Sequence, residues 1–80
     1  MLNRGDIIEL NGIDEYVVGD IFSDLSKVFV YLIDNEEPTN VKFGIMDENN
    51  IIEITDPEVI EYLVNKMNIN LHEKSFLDSI

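Results

Sequence analysis

The sequence predicts a mainly β chain with one helix: a small five-stranded antiparallel meander closing into a barrel, followed by a packed C-terminal helix. Three observations carry that reading. Turn-forming clusters punctuate residues 1–54 at short intervals, as in all-β meanders. The runs between them are rich in Val, Ile, Tyr and Phe, which suit a pleated, half-buried surface. After residue 54 the apolar period changes from that of a strand to that of a helix.

The elements follow in order. Residues 6–10 form a short apolar segment after Gly5, and Asn11-Gly12 follows at once. Asn-Gly suits a type I′ turn, in which both central positions need positive φ, so residues 14–22 pair back as a second strand. Gly19 inside that strand marks a bulge or a sharp bend. Ser23-Asp-Leu-Ser26 is a turn, and Lys27–Asp34 is β-branched and aromatic on both faces, the pattern of a central strand. Residues 35–40 make a polar loop carrying Pro38. Residues 41–46 alternate, with Val41, Phe43 and Ile45 on one face and Lys42 and Gly44 on the other, as in a half-buried strand. Asp47-Glu-Asn-Asn50 turns into a short fifth strand, residues 51–54. Thr55 with Glu58 three residues on, and Pro57 in the first turn, signal a helix start. Val59, Leu63 and Met67 recur every four residues with Ile60 and Val64 beside them, so a helix of about eleven residues turns one stripe to the barrel. Residues 68–80 read either as a frayed tail or as a short helix capped by Asn70 and Glu73, with Phe76, Leu77 and Ile80 as its apolar side. The organisation is thus a single domain over 1–80: barrel about 4–54, helix about 56–67, then the tail. Val30, Leu32, Phe43, Ile45, Ile52, Leu63 and Met67 are expected to share one core.

Arg4-Gly-Asp-Ile-Ile-Glu-Leu-Asn-Gly12 followed by Glu15-Tyr-Val-Val18 resembles the opening hairpin of small bacterial SH3-like barrels. The acid-rich layout of five strands and a helix also looks like small domains of Gram-positive bacteria and of phages. The resemblance spans residues 4–67 and lies in pattern, so it implies a fold and no activity. Peptide-binding SH3 domains present an aromatic groove to proline-rich ligands. This chain has no Trp and no matching cluster, so that ligand mode is not implied.

Composition bounds the function. At 80 residues and 9.2 kDa the chain is long enough for one small core, burying about 63% of its unfolded surface. An apolar fraction of 45% with 28% charged residues argues against whole-chain disorder. The longest apolar run, Val28 to Ile33, falls far short of a membrane span, and an acidic residue at position 6 argues against a signal peptide. A cytoplasmic protein is therefore expected. Twelve Ile and nine Asn with no Ala point to AT-rich codons, hence a low-GC bacterium or phage. Seventeen Asp and Glu oppose five Lys and Arg, for a net charge of −12. Neither a nucleic acid nor an anionic membrane surface suits such a chain, because binding them relies on clustered Lys and Arg. A basic protein partner does suit it.

The search for chemistry returns little. No cysteine means no disulfide, thiolate zinc site or cysteine nucleophile. His72 is the sole histidine, and no nucleophile-elbow sequence surrounds any serine. One His without Cys is a poor zinc or copper set. Asp47-Glu-Asn-Asn50 is dense in oxygen donors but lacks the spacing of a calcium loop, and reads as a solvated turn. No glycine-rich loop with a following Lys cradles phosphate. The Arg4-Gly5-Asp6 string enters a strand and carries no recognition role. No catalytic residue, metal or cofactor is expected.

What survives is the placement of the acids. Asp14, Glu15, Glu36, Glu37, Asp47 and Glu48 sit in or beside turns, and Asp20, Asp24 and Asp34 near strand ends. Alternate turns of a meander share an end, so one end can carry a concentrated negative field that steers a basic partner. The same acids also suit a plain solvated rim. Three functional readings follow: a non-enzymatic acidic interaction module, a phage or mobile-element DNA mimic, and an accessory subunit docking through Phe29, Tyr31, Phe76 or Leu77.

Overall fold

The computed structural model describes residues 2–69. Five strands run in sequence order, β1 (Ile7–Leu10), β2 (Asp14–Asp24), β3 (Lys27–Asp34), β4 (Val41–Asp47) and β5 (Asn50–Ile54), and the helix α1 (Pro57–Met67) follows. Each strand pairs antiparallel with the next, in spatial order β1-β2-β3-β4-β5. The sheet curls into a half-barrel consistent with an SH3-like barrel, and α1 packs against β2. The fold class is the one the sequence predicts. Among the described residues, however, β1 and β5 do not pair with each other and form the two edges of the sheet.

The hairpins form for local reasons. Asn11 and Gly12 hold φ of 57° and 71°, and Ile13 N–H donates to the Leu10 carbonyl at 3.3 Å, which is the turn that Asn-Gly favours. The β2–β3 turn reaches the same positive φ at both positions with Leu25 (52°) and Ser26 (66°). Neither residue is suited to it, and Leu25 stands 84% exposed at the tip. Gly19 is a bulge: Val18 pairs with Leu32 but Asp20 with Tyr31, so β2 carries one extra residue. The bulge restores phase. Val18 and Ile21, three apart, both face the inside of the curl because of it.

Two clusters sandwich the sheet. On the concave side lie Leu10, Tyr16, Val18, Val30 and Leu32, all buried, with Ile8, Met46 and Ile51 against them. On the convex side Phe43, Leu63 and Met67 are buried under α1, with Phe22, Phe29, Tyr31 and Ile54 around them. The single shared core expected from the sequence is therefore two. Val30 and Leu32 point one way; their neighbours on β4, Phe43 and Ile45, point the other, as alternation requires. Ile52, expected in that core, is 51% exposed: it sits opposite Ile45 on the edge strand β5, while α1 packs against β2. Ile45 is half-buried.

β4 also departs from the half-buried pattern. Gly44 is buried on the concave side, where a Cβ would lie 2.5 Å from Ile51 Cγ2 and 3.3 Å from Val30 Cγ2. Only hydrogen fits there. At the helix start the capping residue is Asp56 rather than Thr55: its carboxylate accepts from Glu58 N–H at 2.9 Å, with Pro57 at the first helical position. Asn68 ends the helix in the left-handed conformation, φ 57° and ψ 47°, and Ile69 N–H returns to the Val64 carbonyl. The capped short helix expected from Asn70 and Glu73 lies outside the described residues.

Candidate functional site

Two acidic loops meet at one end of the sheet. β2 begins at Asp14 and Glu15, and the β3–β4 loop carries Glu36 and Glu37. Asn35 ties the loops together: its N–H donates to the Glu15 carbonyl at 3.0 Å, and its Nδ2 to Glu15 Oε1 at 3.3 Å. Asp34 shapes the longer loop. Its Oδ1 accepts from the N–H groups of Glu36 (2.9 Å) and Glu37 (3.3 Å), and its Oδ2 from Asn40 Nδ2 (3.0 Å), an Asx-type turn. These donors hold the Asp34 carboxyl below the usual carboxylate range, the Glu36 N–H most of all. The result is a shallow concavity of about 290 Å³ lined by Glu9, Ile13, Asp14, Glu15, Asp34 and Glu36. Five of its six lining residues are acids and none is a cation.

Asp47 and Glu48 do not join this group directly. They occupy the β4–β5 hairpin, where Asp47 pairs with Asn50 and Glu48 holds a φ of 56°. That hairpin belongs to the opposite end of the strand ladder. Curling of the sheet carries its neighbours Asn49 and Asn50 across the open edge toward Asn11 and Gly12. There they line a cleft of about 400 Å³ whose floor is Leu2, Ile8, Leu10, Met46 and Ile51. Glu9 borders both hollows, and Glu53 borders the cleft. Sequence reading missed these two acids because both lie within strands. The alternation of Ile8 and Leu10 around Glu9 is the signal that places it at an exposed edge.

The strand-end acids have local work. Asp20 pairs with Arg4 at 2.7 Å and Asp24 accepts from the Tyr62 hydroxyl of α1. That bond pushes the Tyr62 pKa up, since it favours the protonated phenol. Lys42 pairs with Glu53 at 3.3 Å, and Lys66 lies over the Tyr62 ring. Lys42, though paired with Glu53, is close enough to act electrostatically on Asp34 and Asp14, so it stands near the Glu15–Glu36 end without lining the hollow there.

Among the described residues no group of three or more His, Cys, Asp or Glu could hold a metal ion. No helix among them is long and apolar enough to cross a membrane. Phe29 and Tyr31, two of the residues considered for apolar docking, are half-buried against the helix-side cluster. Phe29 stacks on Phe22 at 6.4 Å, and Tyr31 meets Phe43 at 5.3 Å. His72, Phe76 and Leu77 lie outside the described residues. Comparison with protein-family models, with curated proteins and with solved structures finds no match to this chain.

Proposed function

We propose that this protein is a non-enzymatic acidic interaction module that binds a basic protein partner. One observation supports it above others: Asp14, Glu15, Asp34, Glu36 and Glu9 line one hollow at the end of a hydrogen-bonded sheet, with no cation among them. Carboxylates grouped on loops of a rigid scaffold steer an oppositely charged partner and set its orientation. The net charge of −12 extends the same field over the rest of the surface.

The test is affinity capture from a low-GC bacterial lysate at low and high salt, followed by association kinetics with the captured protein. Changing Asp14, Glu15, Glu36 and Glu37 together to Lys is expected to slow association at low salt by about tenfold or more, with circular dichroism unchanged. Reversing only Asp47 and Glu48 is expected to have a smaller effect. A fourfold variant that associates at the wild-type rate overturns the proposal. Duplex DNA competing for the same partner would instead identify a DNA mimic.

A further inference from the structure

The half-barrel leaves a seam. β1 and β5 are the two sheet edges, and the cleft of about 400 Å³, with its apolar floor and a polar rim of Glu9, Asn11, Asn49, Asn50 and Glu53, lies between them. Hydrogen bonding on either side shows which backbone groups face it. Val18 N–H donates to the Asp6 carbonyl and Ile13 N–H to that of Leu10, so Asp6, Ile8 and Leu10 bond toward β2. In an antiparallel pair the alternate residues aim away, so Ile7 and Glu9 direct N–H and C=O into the seam. On β5 the two-residue turn makes Asp47 and Asn50 a bonded pair, which leaves Ile51 and Glu53 aimed outward. In a meander β1 and β5 run in the same direction. A strand running the other way is antiparallel to both.

We propose that an extended segment of the basic partner adds to the sheet at this seam. Its backbone pairs with the outward groups of Ile7, Glu9, Ile51 and Glu53. Its apolar residues enter the cleft against Leu10, Met46 and Ile51, and its Lys or Arg residues meet Glu9 and the acids of the neighbouring turns. This is recognition by strand addition: main-chain bonds supply affinity and alternate side chains supply specificity. The charge assigned to the occupant rests on the reading above. Two other occupants fit less well. A second copy of the chain would set Glu9 and Glu53 against like charges, the usual way an edge is kept from pairing with itself. The chain's own residues 70–80 follow Ile69, which packs with the helix-side cluster on the far face of the sheet, and they carry Glu73 and Asp78 against Lys74.

The experiment uses the full chain, isotope-labelled, and a fluorescent peptide of about twelve alternating Lys and Val residues as the probe. Binding is expected, with shifted and slowly exchanging amides at Ile7, Glu9, Ile51 and Glu53. Methylating the backbone nitrogens of alternate probe residues should weaken binding about tenfold while leaving every side chain in place. The exposed Glu9→Lys variant should also weaken it. If a non-alternating peptide of the same composition and the methylated peptide both bind as well as the probe, contact is electrostatic alone. Strand addition is then overturned while the basic-partner reading stands. If an alternating Thr and Val peptide protects the same amides equally, the seam is confirmed and the basic-partner reading falls. Absence of any probe binding overturns strand addition, as does contact of residues 71–80 with Leu10 or Ile51 in the peptide-free chain.

Discussion

Phe43 shows what a single side chain does here. It is 3% exposed, lies against Tyr31 across the ladder and seals the sheet to Leu63 and Met67. Phe43→Ala removes that contact and leaves a cavity, so it should cost about 3–5 kcal/mol, a large share of the stability of so small a fold. Thermal or urea unfolding measures it. Asp34 is a residue-scale device of another kind, since three donors favour its ionised form. Its folded pKa is depressed, so its contribution to stability is present above the ordinary carboxylate pKa. That contribution is lost as pH falls through the lowered value. Asp34→Asn should therefore lower the melting temperature at neutral pH, and the difference from wild type should shrink in acid. A difference independent of pH would assign the loop's order to shape rather than charge.

At the scale of an element, the helix start separates two neighbouring candidates. Thr55 and Asp56 both have capping side chains, but the bond to Glu58 N–H comes from Asp56. An Asp at this position also complements the positive end of the helix dipole. Asp56→Ala should cost about 1 kcal/mol, and Thr55→Ala should change little. Equal losses in urea titrations of the two variants would return the cap to Thr55. The bulge at Gly19 has the opposite character, since it reaches the whole strand. It lets Ile21 and Phe22 face the concave and convex clusters respectively, and its missing Cβ leaves room for Tyr31 Cδ2 and Ile33 Cδ1, each 2.9 Å from where that atom would stand.

For the whole molecule, charge is the controlling quantity. A net −12 faces two ion pairs among the described residues, both with partly or largely exposed partners. Exposed pairs contribute little, while self-repulsion acts over the whole surface. Raising NaCl toward 0.1 M shortens the screening length to about 10 Å and should raise the melting temperature. A steady fall with added salt would show that attraction between specific pairs outweighs repulsion. The same screening should weaken partner capture, so salt is expected to stabilise the protein and loosen its complex together.

Much of the fold is legible in local chemistry. Asn11-Gly12 specifies its turn because positive φ is available there, and Gly19 announces the bulge. The helix extent follows from Pro57, a four-residue apolar period and the pattern's end at Asn68. These signals act over a few residues, so the sequence by itself determined strand order, turn positions and the helix. It also determined the acidity, which follows from composition alone. Contacts between distant segments were decided only in three dimensions. The sequence groups Asp47 and Glu48 with the other turn acids, but register sets them at the far end of the ladder, while Asn35 joins Glu15 to the Glu36 loop. Gly44 reads as an exposed-face residue until Ile51 is folded over it. Ile52 reads as core until the fold sets it on the edge strand β5 while α1 packs against β2. The depth of the curl, and with it the open seam between β1 and β5, depends on packing summed over five strands, which no short stretch of chain encodes.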